Sequence, residues 1–153
     1  MRSLITKSTP KTDVSSKAVK KISKSLLKNP IIYFASNEFD YYNREIFGAC
    51  VYNGKNAEYI KIDDLLNDKD LINFLESDEH KIFYDLKAVK HALDKNKIKI
   101  GENSDDLMIM AFLTNSHNTD LESILNHFDL GYKDIKAVYG TPNKPLKPTD
   151  KQI

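Results

Sequence analysis

The sequence predicts an α/β domain: one mixed sheet whose first three strands run antiparallel and whose fourth runs parallel, flanked by helices. Three observations predict it. Apolar, β-prone runs recur three times between residues 31 and 62, with Asn53-Gly54 between the second and the third. From Asp68 onward the apolar residues fall into a helical period. A fourth apolar run, Lys81 to Asp85, then lies between two helical segments, and a crossover through the first of these makes it parallel.

The elements follow in order. Residues 1–16 are rich in Ser, Thr and Lys and read as disordered. Val19, Ile22 and Leu26 recur at near-helical spacing, which predicts a short amphipathic helix from Ser16 to Lys28, closed by Asn29-Pro30. This makes 1–28 a basic flexible arm or linker and starts the compact domain, 29–153, at Asn29. Ile31-Ile32-Tyr33-Phe34 has the continuous apolar character of a strand buried on both faces. Ser36 to Arg44 turns the chain, Ile46 to Tyr52 is the second strand, and Ala57 to Ile62 the third. Asn53-Gly54 joins these two because both residues tolerate positive φ. Leu71, Ile72, Phe74 and Leu75 mark a helix capped by Asp68. Leu86, Val89, Ala92 and Leu93 mark the inner face of the next, with Lys87, Lys90, His91 and Lys95 outward. Gly101 breaks the following turn. Ser104-Asp105-Asp106 opens a helix from Leu107 to Leu113 that is apolar on all sides and therefore expected to be central. Thr119-x-x-Glu122 reads as a capping box for a helix carrying Leu121, Ile124, Leu125 and Phe128, ended by Gly131. Pro142, Pro145 and Pro148 make the tail extended.

Composition bounds the function. At 153 residues and 17.5 kDa the chain is one domain, able to bury roughly 70% of its unfolded surface without a disulfide or metal staple. The longest apolar run is too short for a membrane span, and no secretory signal opens the chain. A single cysteine, Cys50, excludes an internal disulfide and fits a reducing compartment, so the cytoplasm is expected. Residues 1–28 carry eight basic groups against one acidic, a charge of +7, while the remaining 125 carry −6. A basic arm on an acidic body suits a phosphate backbone and equally suits a solvated linker.

Two segments point further. His80 to Phe112, HKIFYDLKAVKHALDKNKIKIGENSDDLMIMAF, places a Tyr-Asp pair at a strand end, then a basic helix, a glycine turn and an Asp-opened apolar helix. Tyr132 to Lys144, YKDIKAVYGTPNK, carries Ala137-Val138-Tyr139-Gly140 ahead of a Pro/Lys run. The first resembles the 3′–5′ exonuclease-like domain of bacterial DNA polymerase I (family A), and Asn118 to Leu130 looks like that domain's next helix. The tail resembles the form found in low-GC Gram-positive bacteria. The element order β-β-β-α-β-α is that of ribonuclease H-like, DnaQ-like exonuclease folds.

The resemblance implies a two-metal phosphodiester hydrolysis site built from carboxylates, because Mg²⁺ takes hard oxygen ligands. Carried over residue by residue, the Asp-x-Glu of the first strand falls on Ala35 and Asn37, neither of which supplies an anionic ligand. The third position falls on Asp85, which keeps its carboxylate. The helix supplying the Tyr…Asp pair would begin beyond Ile153. The expectation is a degenerate, catalytically silent domain with no metal and no cofactor, supporting a polymerase domain in DNA replication and repair. DNA would be met mainly through that attached polymerase domain, with no membrane contact, by a monomer. The alternatives are an active exonuclease using Mg²⁺ with acids such as Glu38, Asp40 or Asp106, and a stand-alone nucleic-acid-binding module. Side chains alternate along a strand, so Glu38 and Asp40 share a face opposite 35 and 37 unless a bulge intervenes.

Other constellations read as structural. Asp105 and Asp106 suit capping at a helix start. With its partners missing, Asp85 suits a strand end or cap. The histidines at 80, 91, 117 and 127 have neither zinc spacing nor companion cysteines. Cys50 sits in an apolar strand as a core residue. Nucleic-acid contact, if any, would fall on Lys87, Lys90 and Lys95 along one helix, on Tyr41 and Tyr42 as stacking rings, and on Lys20 and Lys21 in the arm; a solvated face is the alternative for the lysines.

Overall fold

Backbone hydrogen bonding and burial together turn the apolar runs into a twisted sheet with helices laid on it. The structure, a computed structural model, describes residues 13–14, 17–37, 41–130, 135–141 and 143–149. Among these, β1 is Asp13–Val14, β2 Ile31–Ser36, β3 Ile46–Tyr52, β4 Asn56–Lys61, β5 Lys81–Phe83 and β6 Ser104–Asp106. They form one sheet of order β1-β4-β3-β2-β5-β6. The pairs β2–β3 and β3–β4 are antiparallel, whereas β5 joins β2, and β6 joins β5, in parallel. The predicted mixed sheet is therefore present, with two edge strands that the sequence did not announce. Ser104–Asp106 opens the helix that follows, as expected, with Asp106 at its N-cap, and it also extends the sheet, because its backbone completes the open edge of β5.

The β3–β4 hairpin turns on Asn53-Gly54 as expected. Gly54 takes φ +91°, and Asn53 Oδ1 accepts from the amides of Lys55 (3.1 Å) and Asn56 (2.9 Å). A short helix, α1 (Ile62–Leu65), leads to α2 (Lys69–Glu76), whose N-cap Asp68 accepts from Leu71 N at 3.2 Å. Next come α3 (Leu86–Asp94), α4 (Leu107–Thr114), α5 (Leu121–His127) and α6 (Ile135–Tyr139). Two short strands, β7 (Gly140–Thr141) and β8 (Lys144–Pro145), form a separate antiparallel pair.

One apolar cluster unites the sheet with α1–α3; Ile32, Phe34, Val51, Ile60, Leu71, Leu75, Phe83 and Leu93 are all within it and buried. It also contains Ile22 and Leu26. The stretch expected to belong to a flexible arm is thus, over residues 17–28, part of the core. It is a 3₁₀ turn at Lys24–Leu27 and not an amphipathic α-helix, because its apolar side chains are held against the sheet by backbone anchors. Val19 N donates to Tyr59 O (2.7 Å), Ile22 N to the buried Asp68 carboxylate (2.9 Å), and Ser23 N to Glu58 (2.8 Å).

Four further expectations are corrected. Ile31 and Tyr33 are only half-buried, so β2 is closed on one face and partly open on the other. The uniformly apolar α4 is not central: Ile109, Met110, Phe112 and Leu113 are exposed, and Ala111 alone is buried. Apolar composition did not locate it, because burial depends on which elements pack around a helix. The capping box of α5 uses Asp120 and Ser123, one residue later than Thr119–Glu122. That helix ends at His127 with Asp129 at φ 53°, before Gly131, which lies outside the described residues. Lastly, the proline-rich tail is not simply extended; it contains α6 and the β7–β8 pair, and Tyr139 stacks at 6.4 Å on Phe47.

Candidate functional site

Parallel strands β2, β5 and β6 bring their carboxyl ends to the same edge of the sheet, with Ile32 level with Phe83 and Phe83 level with Asp106. Such edges are where open α/β sheets place their ligands. Ala35, Asn37, Asp85 and Asp106 all end up at this edge.

Each of these residues is already engaged. Ala35 is buried and offers only a methyl group. Asn37 bridges the two ends of the β2–β3 connection: its N–H donates to Glu45 O (3.1 Å) and its Oδ1 accepts from Glu45 N (2.6 Å). Asp85 adopts the left-handed conformation (φ 54°, ψ 56°) and caps α3, accepting from Ala88 N at 3.4 Å. Its Oδ2 lies 3.1 Å from Arg44 Nη1, and both side chains are largely withdrawn from solvent, at 11% and 22% exposure. Asp106 accepts from Asp85 N (3.1 Å), Leu86 N (2.8 Å) and Met108 N (2.9 Å). Its carboxylate thereby fixes the turn that carries Asp85 and caps α4, which bears out its capping role. Asp105 turns away, 2.9 Å from His80 Nε2.

The alternation argument against Glu38 and Asp40 does not extend past residue 35. The β2–β3 register shifts between Ala35 and Ser36, and Phe34, Ala35 and Ser36 are buried in succession. Glu38 and Asp40 themselves lie outside the described residues.

Do these donors fit the pair of divalent ions implied by the resemblance? They do not. The retained carboxylate faces a guanidinium, which repels a metal ion, and Asp106 spends its oxygens on backbone amides. Among the described residues no group of three or more His, Cys, Asp and Glu side chains is placed to hold a metal.

The residues expected to contact nucleic acid separate into two places. Tyr41 stacks on His91 of α3 (ring centres 5.1 Å apart, planes 4° apart), and Tyr42 meets both rings edge-on. Lys87 Nζ lies 5.6 Å from the centre of the Tyr41 ring, and Lys95 Nζ donates to Tyr42 O. Tyr41, Tyr42, Lys87 and Lys95 thus meet along α3, while no such contact joins Lys90 to the two tyrosine rings. Lys20 and Lys21 lie elsewhere, and Lys21 is paired with Asp70 at 2.7 Å. That pairing raises the Lys21 ammonium and lowers the Asp70 carboxyl from their ordinary values.

Sequence reasoning missed Arg44 and the carboxylate grip of Asp106 on the Asp85 turn. A signal for Arg44 existed: the chain has two arginines against twenty-one lysines. Guanidinium is the cation suited to partly buried carboxylate pairing.

A family model describing the ribonuclease H-like domain of DNA polymerase I matches residues 32–153. No curated protein matches the chain. Among solved structures, the chain is similar to the exonuclease domain of Nibbler from Aedes aegypti, at 14% identity and a TM-score of 0.37. The alignment covers 80% of this chain and 63% of that one, a likeness too loose to carry an argument. The sheet order, the parallel edge and the match over residues 32–153 agree: this is an α/β, ribonuclease H-like chain, and it belongs to the family of the ribonuclease H-like domain of DNA polymerase I.

Proposed function

We propose that the chain is a non-catalytic exonuclease-like domain that braces an adjoining DNA polymerase domain in the cytoplasm, as a monomer, during replication and repair. The observation that carries this reading is the Arg44 guanidinium on Asp85, the acid that the resemblance places at a family metal position. Ala35 and Asn37 supply no charge beside it. Two-metal hydrolysis needs ions that activate the attacking water and stabilise the leaving oxygen; here the edge is occupied by side chains bonded to one another. Membership of the family supports association with DNA through a polymerase domain. No described helix is long and apolar enough to cross a membrane.

The test is a 5′-labelled single strand incubated with the purified chain and Mg²⁺ or Mn²⁺. No 3′-end removal is expected; robust removal that Asp85→Asn abolishes would refute the reading and establish the active-exonuclease alternative.

A second reading, auxiliary nucleic-acid contact, is favoured by the Tyr41–His91 stack, which gathers Tyr42, Lys87 and Lys95 around it. Base stacking on exposed aromatics and lysine neutralisation of phosphates are the two ingredients of single-strand binding. Tyr42→Ala should weaken single-strand affinity roughly tenfold, within the usual worth of one stacked base. Lys87→Gln should flatten the salt dependence by about one charge. Deleting residues 1–28 cannot test the arm's share, since that removes Ile22 and Leu26 from the core; Lys20→Gln can. Unchanged affinity in all three variants would leave the brace alone.

A further inference from the structure

The metal site implied by the family and the side chains present disagree, and the disagreement has a structure of its own. The connection after β2 is fastened along α3. Near the start of the helix Arg44 Nη1 meets Asp85 Oδ2 at 3.1 Å; further along Tyr41 stacks on His91; at the far end Lys95 donates to the carbonyl of Tyr42. From residue 85 to 95 a helix spans about 15 Å, so the contacts are spread over the whole element. The other end of the connection is fixed by the paired Asn37–Glu45 hydrogen bonds.

Asp85 is the point where this strap meets a left-handed turn, a conformation uncommon outside glycine and best tolerated by Asp and Asn. Here Asp106 grips the amides of Asp85 and Leu86 from one side, and the Asp85 carboxylate holds Ala88 N and Arg44 from the other. One Asp85 oxygen accepts from the Ala88 amide and the other takes the Arg44 guanidinium as its charged partner.

We infer that Arg44 is an internal counter-ion, standing where the family would use a divalent metal, and that it locks the 41–45 strap onto α3 independently of any metal. This rests on the reading of the domain as non-catalytic and deepens it: the retained Asp85 serves a cation built into the chain.

A double-mutant cycle tests it: native chain, Arg44→Met, Asp85→Asn and both together, melted in excess MnCl₂ and in EDTA. Asparagine tolerates left-handed backbone and caps helices, so Asp85→Asn removes charge with little else. Each single change should lower Tm by about 3–6 °C. The double variant should lose less than the sum of the two single losses, because both remove the same Arg44–Asp85 interaction. The native Tm should be the same in Mn²⁺ and EDTA. Amide exchange at Glu45 should quicken in Arg44→Met as the strap loosens. Should Arg44→Met fail to fold, Arg44→Lys completes the cycle, with a smaller loss for the retained charge. Additive losses with no effect of Mn²⁺ would overturn the counter-ion and leave the non-catalytic reading intact. A saturable rise of the native Tm in Mn²⁺, abolished by Asp85→Asn, would overturn both.

Discussion

Replacing Leu26 by alanine asks whether the residues before the first long strand belong to the folded body. The side chain is 2% exposed and lies in the cluster with Ile22 and the sheet. Leu→Ala removes three carbons from this site, worth about 2.4 kcal/mol at about 0.8 kcal/mol per buried methylene. The hole left behind adds to this, and buried Leu→Ala changes cost about 2–5 kcal/mol. A 3₁₀ turn on the rim of the core can relax inward, which favours the lower half, about 3 kcal/mol. At about 2–4 °C per kcal/mol for a chain of this size, Tm should fall by about 6–12 °C. Urea unfolding followed by circular dichroism measures the loss directly, with the slope unchanged if the folded and unfolded states keep their surface areas. Lys20→Ala, at an exposed position in the same segment, serves as the control and should stay within about 0.5 kcal/mol. A Leu26→Ala loss as small as the control's would refute the placement of residues 17–28 in the core.

Three further outcomes follow from the packing. A Cβ on Gly101 would lie 1.9 Å from Ser77 O, so Gly101→Ala should destabilise by about 1–3 kcal/mol through forced backbone movement; a melting temperature equal to that of the native chain would show the approach to be looser. Lys81 is buried, donates to Ser77 O at 2.6 Å and lies over Phe74, and burial lowers its ammonium below the ordinary 10.5. The folded chain then binds this proton more weakly than the unfolded one, so stability rises with pH from the folded value up to 10.5. Lys81→Met should lack that rise, and parallel stability–pH curves for the two proteins would contradict the assignment. Burial also raises the Cys50 thiol above 9.0, giving stability that is present below that pH and lost as pH climbs through the folded value. Alkylation of Cys50 should therefore be slow at neutral pH until urea is added, and rapid labelling of the folded chain would rule this out.

What the sequence determined by itself was whatever local chemistry dictates. Asn53-Gly54 can only turn. The runs at 31, 46 and 57 can only pair as strands, Asp68 and Asp106 were legible as caps, and the change of period after residue 68 announced the crossover. Tertiary structure decided what depends on distant neighbours. Ser104–Asp106 became a strand only because β5 had an open edge, and residues 17–28 joined the core only because Asp68, Glu58 and Tyr59 were there to anchor them. The apolar α4 lies exposed because no described element covers its outer side. Arg44 and Asp85 are 41 residues apart in sequence and 3.1 Å apart in space. No periodicity reports such a pair: closing that loop requires the whole sheet, and charge attraction acts only after burial elsewhere has set the distance.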